Sequence, residues 1–235
     1  MNIIVQKYDW LHSLLDFCLP PLCVGCGTYT EADYCICERC LNQMETFTHP
    51  FCLTCANFIS GDSCPTCQAD TLPLYAMGSY SPPLKNLIIN YKFNGITQLS
   101  SFFAKYIYRI FERSILKYQT RILVPIPLHP SHEYYRGYNQ ATLFAKNLSE
   151  IFNFEVCTHI IKRIKKRKPQ SRLSHKKRHK NVAGVFKAEK VKENKNEIIL
   201  VDDVVTTGAT IAEAKKILTE AGYKVKAVIA IAHAL

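Results

Sequence analysis

Residues Ile198 to Ile211 read IILVDDVVTTGATI, and two kinds of chemistry meet within that run. The adjacent carboxylates Asp202 and Asp203 call for a partner that donates hydrogen bonds, and the hydroxyls of a ribose suit them. The turn Thr206-Thr207-Gly208-Ala209-Thr210 supplies three hydroxyls, a glycine that lets backbone come close, and the amides of a helix start. Free amides and the positive end of a helix form an anion hole, so one end of the ligand is expected to be a phosphate. Two elements must position these groups. Ile198 to Val201 reads as a short buried strand, and Ile211, Ala214, Ile217, Leu218 and Ala221 recur at helical spacing. A strand passing through a turn into a helix places a ligand at the carboxyl end of an α/β sheet. A Walker phosphate loop is excluded, because it needs Gly-Lys-Ser/Thr before its helix and no lysine occurs here until Lys215. Receiver domains also place acids after a buried strand, but they do not follow them with TTGAT.

Cysteine spacing points to a second chemistry. Ten of the eleven cysteines precede residue 68, and eight of them form the knuckles Cys23/Cys26, Cys37/Cys40, Cys52/Cys55 and Cys64/Cys67. Knuckle pairs at such spacing supply tetrahedral thiolate sets for two structural Zn²⁺ ions. Sequential pairing is the simplest wiring, a crossed arrangement stays open, and Cys35 could take the place of Cys37. Redox-active Cys-x-x-Cys is the weaker alternative, since four in succession would be unusual. Disulfides are disfavoured because WLHSLLDFCLPPL, interrupted by His12, Asp16 and prolines, does not read as a signal peptide. A cytoplasmic location follows as the expectation, and no apolar stretch reaches the length of a membrane span. Cys18 and Cys157 are expected to pack as small hydrophobes.

The chain has 235 residues, enough for one sizeable core and a small module. Residues 1 to about 20 are expected as an amphipathic helix. The zinc module, to residue 71, has few apolar residues and depends on metal for its folding. From residue 72 to 235, strand and helix patterns alternate, which indicates a mainly parallel sheet covered by helices. Strands are expected at 74–81, Ile122 to Ile126, Val156 to Ile161, Ala183 to Ala188, Ile198 to Val201 and Val225 to Ile231. Helices are expected after Pro83, over 98–117, from Asn139 to Phe152 and from Ala209 to Ala221. The aromatic stripe of the second helix (Phe102, Phe103, Tyr106, Phe111) reads as core. Pro127 to Ala141 reads as a polar loop whose Arg136-Gly137 could hold a pyrophosphate or belong to an ordinary surface turn.

Charge is concentrated in one place. The segment Lys162 to Lys180 holds eleven Lys or Arg and no acid, which accounts for the whole formal net charge of +11. Its cations Lys162, Arg163, Lys165, Lys166, Arg167, Lys168, Arg172, Lys176, Lys177 and Arg178 would repel one another without an anionic partner. Phosphates of nucleic acid meet that need whatever the base sequence. Residues 1–71 carry two basic and eight acidic residues, and residues 72–235 carry 28 basic and 11 acidic. DNA is therefore expected on the second part rather than on the zinc module, with Tyr134, Tyr135 and Tyr138 as candidate stacking groups.

The stretch VDDVVTTGAT resembles the loop of type I phosphoribosyltransferases that binds phosphoribosyl pyrophosphate (PRPP). Together with the knuckles, Tyr91-Lys92-Phe93 before Gly95, PIPLH at 125–129, RGYNQA at 136–141, and Gln170, Leu173, Arg178, Asn181, Val182 and Phe186, it resembles the ComF-type competence family, the ComFC/GntX group. The resemblance implies an α/β fold of type I phosphoribosyltransferase kind, a parallel sheet with helices on both faces, preceded by a double zinc ribbon. It implies that Asp202 and Asp203 hold ribose hydroxyls, that Thr206, Thr207, Gly208, Ala209 and Thr210 hold the 5′-phosphate, and that Arg136 and Gly137 meet pyrophosphate. Mg²⁺ would arrive with PRPP. Segment 163–181 corresponds to the mobile catalytic loop of relatives, with more lysine than one pyrophosphate needs. In an active enzyme, Asp202, Asp203 and Arg136 would stabilise displacement of pyrophosphate at the anomeric carbon. The family's role implies single-stranded DNA handling in natural transformation, with a helicase or other DNA-processing protein as partner.

Overall fold

The computed structural model describes residues 21–32, 36–59, 63–68, 71–165, 184–191 and 196–234. The amphipathic run at 1–20, Cys18, Cys35 and most of the basic segment lie outside them. In chain order the described elements begin with α1 (Glu38–Gln43), β1 (Phe51–Cys52), β2 (Pro73–Ser79), α2 (Leu84–Phe93) and α3 (Leu99–Leu116). Next come β3 (Ile122–Pro125), α4 (Pro130–Arg136), α5 (Gln140–Phe152), β4 (Glu155–Val156) and β5 (Ile161–Arg163). The chain ends with β6 (Phe186–Ala188), β7 (Glu197–Val205), α6 (Ala209–Glu220) and β8 (Lys224–His233).

The main sheet has the order β1-β2-β8-β7-β3-β4. Every neighbouring pair is parallel except β1 with β2. Its central strands are near-continuous apolar runs because both faces are covered. Ile199, Val201, Ile229 and Tyr75 pack toward α2, α3 and α5. Ile198, Leu200, Val228 and Leu74 pack toward α6 and the separate β5–β6 ribbon. Phe103, Phe111 and Phe144 are fully buried in the first layer, and each such side chain contributes about 2–3 kcal/mol. Phe102 and Tyr106 are only partly buried at the edge of this layer, so of the aromatic stripe Phe103 and Phe111 are core, as expected, and the other two flank it.

Connectivity fixes where a ligand can sit. The β3-to-β4 connection runs through α5 on one face, and β7 to β8 runs through α6 on the other. Strand order therefore reverses between β3 and β7, which opens a crevice at their carboxyl ends. β3 stops where Pro125 pairs with Val201, whereas β7 continues beside β8 to Val205. The strand expected at Ile198 to Val201 thus runs on through Asp202 and Asp203, which overhang the end of β3.

Both zinc ribbons are fastened to this fold, the second to the sheet and the first to α2. Phe51 pairs with Leu74 and Cys52 with Pro73, and Thr46 bridges to Gly78. A Cβ on Gly78 would lie 2.2 Å from the Glu45 carbonyl oxygen, so only glycine permits the approach. On the other side, Asn86 and Asn90 of α2 donate to the carbonyls of Gly25 (2.8 Å) and Val24 (3.0 Å). Cys23, Ile36, Cys40 and Met44 share the core of α2, which answers the module's shortage of apolar residues.

Two expectations change. Val156 to Ile161 is not one strand: β4 closes the main sheet, and β5 leaves it to pair antiparallel with β6. Ile160 and Ile161 turn toward Phe186 in the second core layer. Pro127 to Ala141 contains the helix α4. His129 caps it by accepting from the Ser131 amide at 3.2 Å, Pro130 occupies the first turn, and Gly137 ends it with φ of 80°. Proline at the start and glycine just past the end are the ordinary punctuation of a helix.

Candidate functional site

The crevice is a cleft of ≈ 300 Å³ lined by Lys92, Arg136, Asn139, Arg163, Asp202, Asp203, Thr206 and Thr210, among others. Six sequence candidates, Asp202, Asp203, Thr206, Thr210, Arg136 and Arg163, come together here. Gly208 has φ of 70° at the start of α6, and no side chain caps that helix. The conformation favours glycine, and it leaves the first-turn amides of α6 available to an anion. Thr207 lies in the same turn, while the Ala209 side chain is buried in the second core layer, so Ala209 can offer the ligand only its backbone.

The two carboxylates are not equivalent. Lys92 Nζ lies 2.8 Å from Asp203 Oδ1, with both side chains about five-sixths buried (16% and 15% exposed). Asp202 Oδ1 accepts from the Asp203 amide at 2.8 Å. Burial and then the charge of Asp203 push the Asp202 carboxyl up to about 7, against the opposing pull of that amide, Lys92 and Arg163. The cleft thus holds a hydrogen-bond acceptor poised near neutrality beside a paired carboxylate, with an anion-accepting turn next to both.

Lys92 is a site residue that spacing alone did not single out. It reaches the cleft because the Tyr91-Lys92-Phe93 and Arg136-to-Ala141 segments are laced together. Tyr91 donates to the Gln140 carbonyl at 2.7 Å, and Tyr138 donates to the Tyr91 carbonyl. Gln140, fully buried, donates to the Lys92 carbonyl at 3.4 Å and accepts from Arg136 Nη1 at 3.1 Å. The Arg136 guanidinium lies over the Phe93 ring at 4.7 Å. Asn139 accepts from the Ala141 and Thr142 amides, capping α5, and donates to the Ile126 carbonyl at 3.1 Å. Tyr138 is therefore tied up inside this lattice, whereas Tyr134 and Tyr135 are 92% and 90% exposed on α4.

The basic candidates separate. Lys162 is exposed and pairs with Glu189 at 2.9 Å. Arg163 lines the cleft, close enough to Asp202 to favour its ionised form. Lys165 is exposed beside Gly184, whose amide donates to Glu213 of α6. Lys165 and Gly184, the described residues on either side of 166–183, thus lie next to one another. Lys166, Arg167, Lys168, Arg172, Lys176, Lys177 and Arg178 lie outside the described residues.

The eight knuckle thiols form two sets, Cys23/Cys26/Cys37/Cys40 and Cys52/Cys55/Cys64/Cys67, with all sulfurs in each set within 4.8 Å of one another. Sequential wiring is correct. Sulfur pairs at 3.7 Å (Cys23 with Cys40, Cys26 with Cys37) and 3.4 Å (Cys55 with Cys64) approach the edge of about 3.8 Å that a Zn–S tetrahedron implies. The donors fit zinc as soft thiols at tetrahedral spacing, and within each set they differ, burial pushing Cys40 and Cys67 up. Bonds from Thr28 and then Arg39 hold the Cys26 thiol down at about 5. Burial would raise Cys52, but the amides of Cys55, Thr54 and Leu72 outweigh it and bring it to about 6. Cys157 is buried in the second core layer. No helix among the described residues is long and apolar enough to cross a membrane.

A parallel sheet with a phosphate-type turn at its switch point, carrying two four-thiolate ribbons, defines a zinc-ribbon protein of phosphoribosyltransferase class. Residues 139–234 match the Phosphoribosyl transferase domain and residues 14–68 the Double zinc ribbon domain. The chain is 30% identical over 200 residues to Competence protein ComFC of Streptococcus pneumoniae, across 82% of this chain and 84% of the relative. It is 29% identical over 214 residues to Competence protein F of Haemophilus influenzae, across 85% and 91%. With DNA utilization protein YhgH of Escherichia coli it shares 27% over 206 residues, across 86% and 85%. The chain belongs to the ComF competence-protein family.

Proposed function

We propose that this protein handles single-stranded DNA in the cytoplasm during natural transformation, and that its phosphoribosyltransferase-like part also binds Mg·PRPP. The observation that carries the reading is the cleft itself. Asp202 and Asp203 stand beside the Thr206–Thr210 turn, Arg136 and Arg163 are on its walls, and Arg163 belongs to the most basic segment of the chain. Asp202 and Asp203 would accept from ribose hydroxyls, the turn would hold the 5′-phosphate, and Arg136 with Gly137 would meet pyrophosphate. In this reading residues 1–71 form the ribbon module and 72–235 the ligand-binding part. The names of the relatives, competence and DNA utilization, agree with a DNA role. The acidic ribbon module is better suited to a protein partner, such as a helicase, than to DNA.

Fluorescence anisotropy of labelled single-stranded DNA across a salt series, with and without Mg·PRPP, tests this reading. Binding with a steep salt slope is expected, and PRPP should alter it if the sites are linked. Absence of binding at low salt overturns the DNA role. Asp202→Asn with Asp203→Asn should remove PRPP binding and spare DNA. Replacing Lys165, Lys166, Arg167 and Lys168 by alanine should do the reverse.

A second reading, transfer of phosphoribose from PRPP to a small acceptor, is favoured by the paired carboxylates and the arginine within one cleft. Pyrophosphate release from PRPP over a panel of acceptors checks it.

A further inference from the structure

The second zinc ribbon stands directly behind the phosphate-type turn. Among the described residues, Leu53 Cδ2 is the one atom that a Cβ built on Gly208 would approach to 4.0 Å. Leu53 belongs to the knuckle turn that follows Cys52 and precedes Cys55, so the thiolate set decides where it stands. Its amide donates to the Leu72 carbonyl at 2.9 Å, which ties the knuckle to the approach of β2. A second line of contact runs on the other side of Cys52. The Phe51 ring stacks on His233, centroids 5.2 Å apart and planes 9° apart. His233 pairs in register with Val205, and the Ala234 amide donates to the Val205 carbonyl at 2.9 Å. Val205 is the residue from which the Thr206–Thr210 turn departs. The start of the turn is thus backed through Phe51, and Leu53 packs against the core layer that holds Val205 and Ala209 on either side of the turn, the two residues flanking a buried zinc ligand. Ribbon one makes its described contacts elsewhere, on Asn86 and Asn90 of α2.

We infer that the second zinc site positions the phosphate turn, so that zinc occupancy of that site and affinity for a phosphoribosyl ligand are linked. The inference rests on reading Thr206–Thr210 as the phosphate site. The coupling needs no wire between the sites. A knuckle without metal loses the bonds that hold its turn, and Leu53 and Phe51 no longer bear on the core layer around Val205 and Ala209 and on His233. A ligand would then have to order the turn itself, and affinity falls. Linkage is reciprocal, so ligand in the turn must slow loss of the metal behind it. Leu53 acts here as a positioning residue through its packing against the core layer that holds Val205 and Ala209.

The test uses the zinc-loaded full chain. PRPP affinity is measured by calorimetry for wild type, Leu53→Ala and Leu53→Met, and zinc loss to a chelating dye is followed with and without PRPP. Leu53→Ala is expected to weaken PRPP about tenfold while both zinc ions per chain are retained, and Leu53→Met is expected to recover most of the loss. PRPP is expected to slow release of one zinc of the two in wild type, and to slow neither in the Asp202→Asn, Asp203→Asn double variant. If wild type binds PRPP but Leu53→Ala binds it equally well and zinc leaves at a ligand-independent rate, the coupling is overturned. If zinc-loaded wild type does not bind PRPP, the phosphate reading itself fails and the coupling falls with it.

Discussion

Lys92 and Asp203 form an ion pair at 2.8 Å across the mouth of the cleft, joining the end of α2 to the overhanging part of β7. The pair neutralises one of two adjacent carboxylates, and Arg163 stands close enough to favour ionisation of the other. Replacing Lys92 with Met keeps the aliphatic stem and removes the charge. Leaving Asp203 unpaired should cost about 2 kcal/mol of stability, read as a lower denaturant midpoint at unchanged slope. Because Lys92 also holds the Asp202 carboxyl down, that group should titrate higher in the variant. PRPP, an anion, should bind about tenfold more weakly, equivalent to ~1.4 kcal/mol.

Titration of Asp202 gives a pH dependence of definite sign. Its folded value, about 7, lies above that of an ordinary carboxyl, with burial as the leading cause and Asp203 second. The group's contribution to stability is therefore fully present below the ordinary carboxyl range and is lost as pH rises through about 7. Ligand binding runs the opposite way, since a ribose hydroxyl needs the ionised acceptor. Asp202→Asn should melt higher than wild type at pH 8, and the gap should close toward pH 4. Calorimetric PRPP affinity of wild type should rise between pH 6 and 8, beyond the change shown by Asp202→Asn.

Much of the site was legible because it is local in the chain. The VDDVVTTGAT run carries its strand, its acids, its turn and its helix in consecutive residues, and each knuckle carries two ligands at fixed spacing. What was not legible depends on tertiary closure. Lys92 reaches Asp203 only because Gln140 and Tyr138 pin the backbone at the end of α2. Arg163 looked like one cation among eleven, yet strand alternation in β5 turns it to the cleft and Lys162 to Glu189. The α4 helix was missed although Pro130 and Gly137 mark its ends, because its polar sequence leaves no residue buried. Likewise, β1 has only two residues and earns its place by pairing with β2, which no periodicity reports.

Asn139 tests whether the Arg136-to-Ala141 lattice is structural. Its side chain caps α5 through the Ala141 and Thr142 amides and holds the Ile126 carbonyl at the end of β3. Losing a cap costs typically ~1 kcal/mol, and leaving a buried carbonyl unsatisfied adds about 1 kcal/mol or more. Asn139→Ala should therefore destabilise by about 2 kcal/mol. Asn139→Asp should retain the cap and lose only the bond to Ile126, placing it between the two. Thermal melts of the three proteins give the order directly.

Arg163 and Lys162 are neighbours in sequence with different surroundings, and that difference can be measured. Arg163 faces the carboxylates, and its guanidinium lies 5.5 Å from the centre of the Phe186 ring. Lys162 sits in an exposed pair with Glu189 on the outside of the ribbon. If both served only as part of a polyphosphate track, each alanine variant would lower the salt slope of DNA binding by about 0.7, the share of one single-strand phosphate contact. The geometry instead predicts a division. Arg163→Ala should weaken PRPP severalfold and move the Asp202 titration upward, with little change in the DNA slope. Lys162→Ala should leave PRPP affinity unchanged and, because an exposed ion pair contributes at most about 1 kcal/mol, leave stability nearly unchanged as well. Equal effects of the two substitutions on PRPP affinity would mean that the β5–β6 ribbon does not present Arg163 to the cleft in solution.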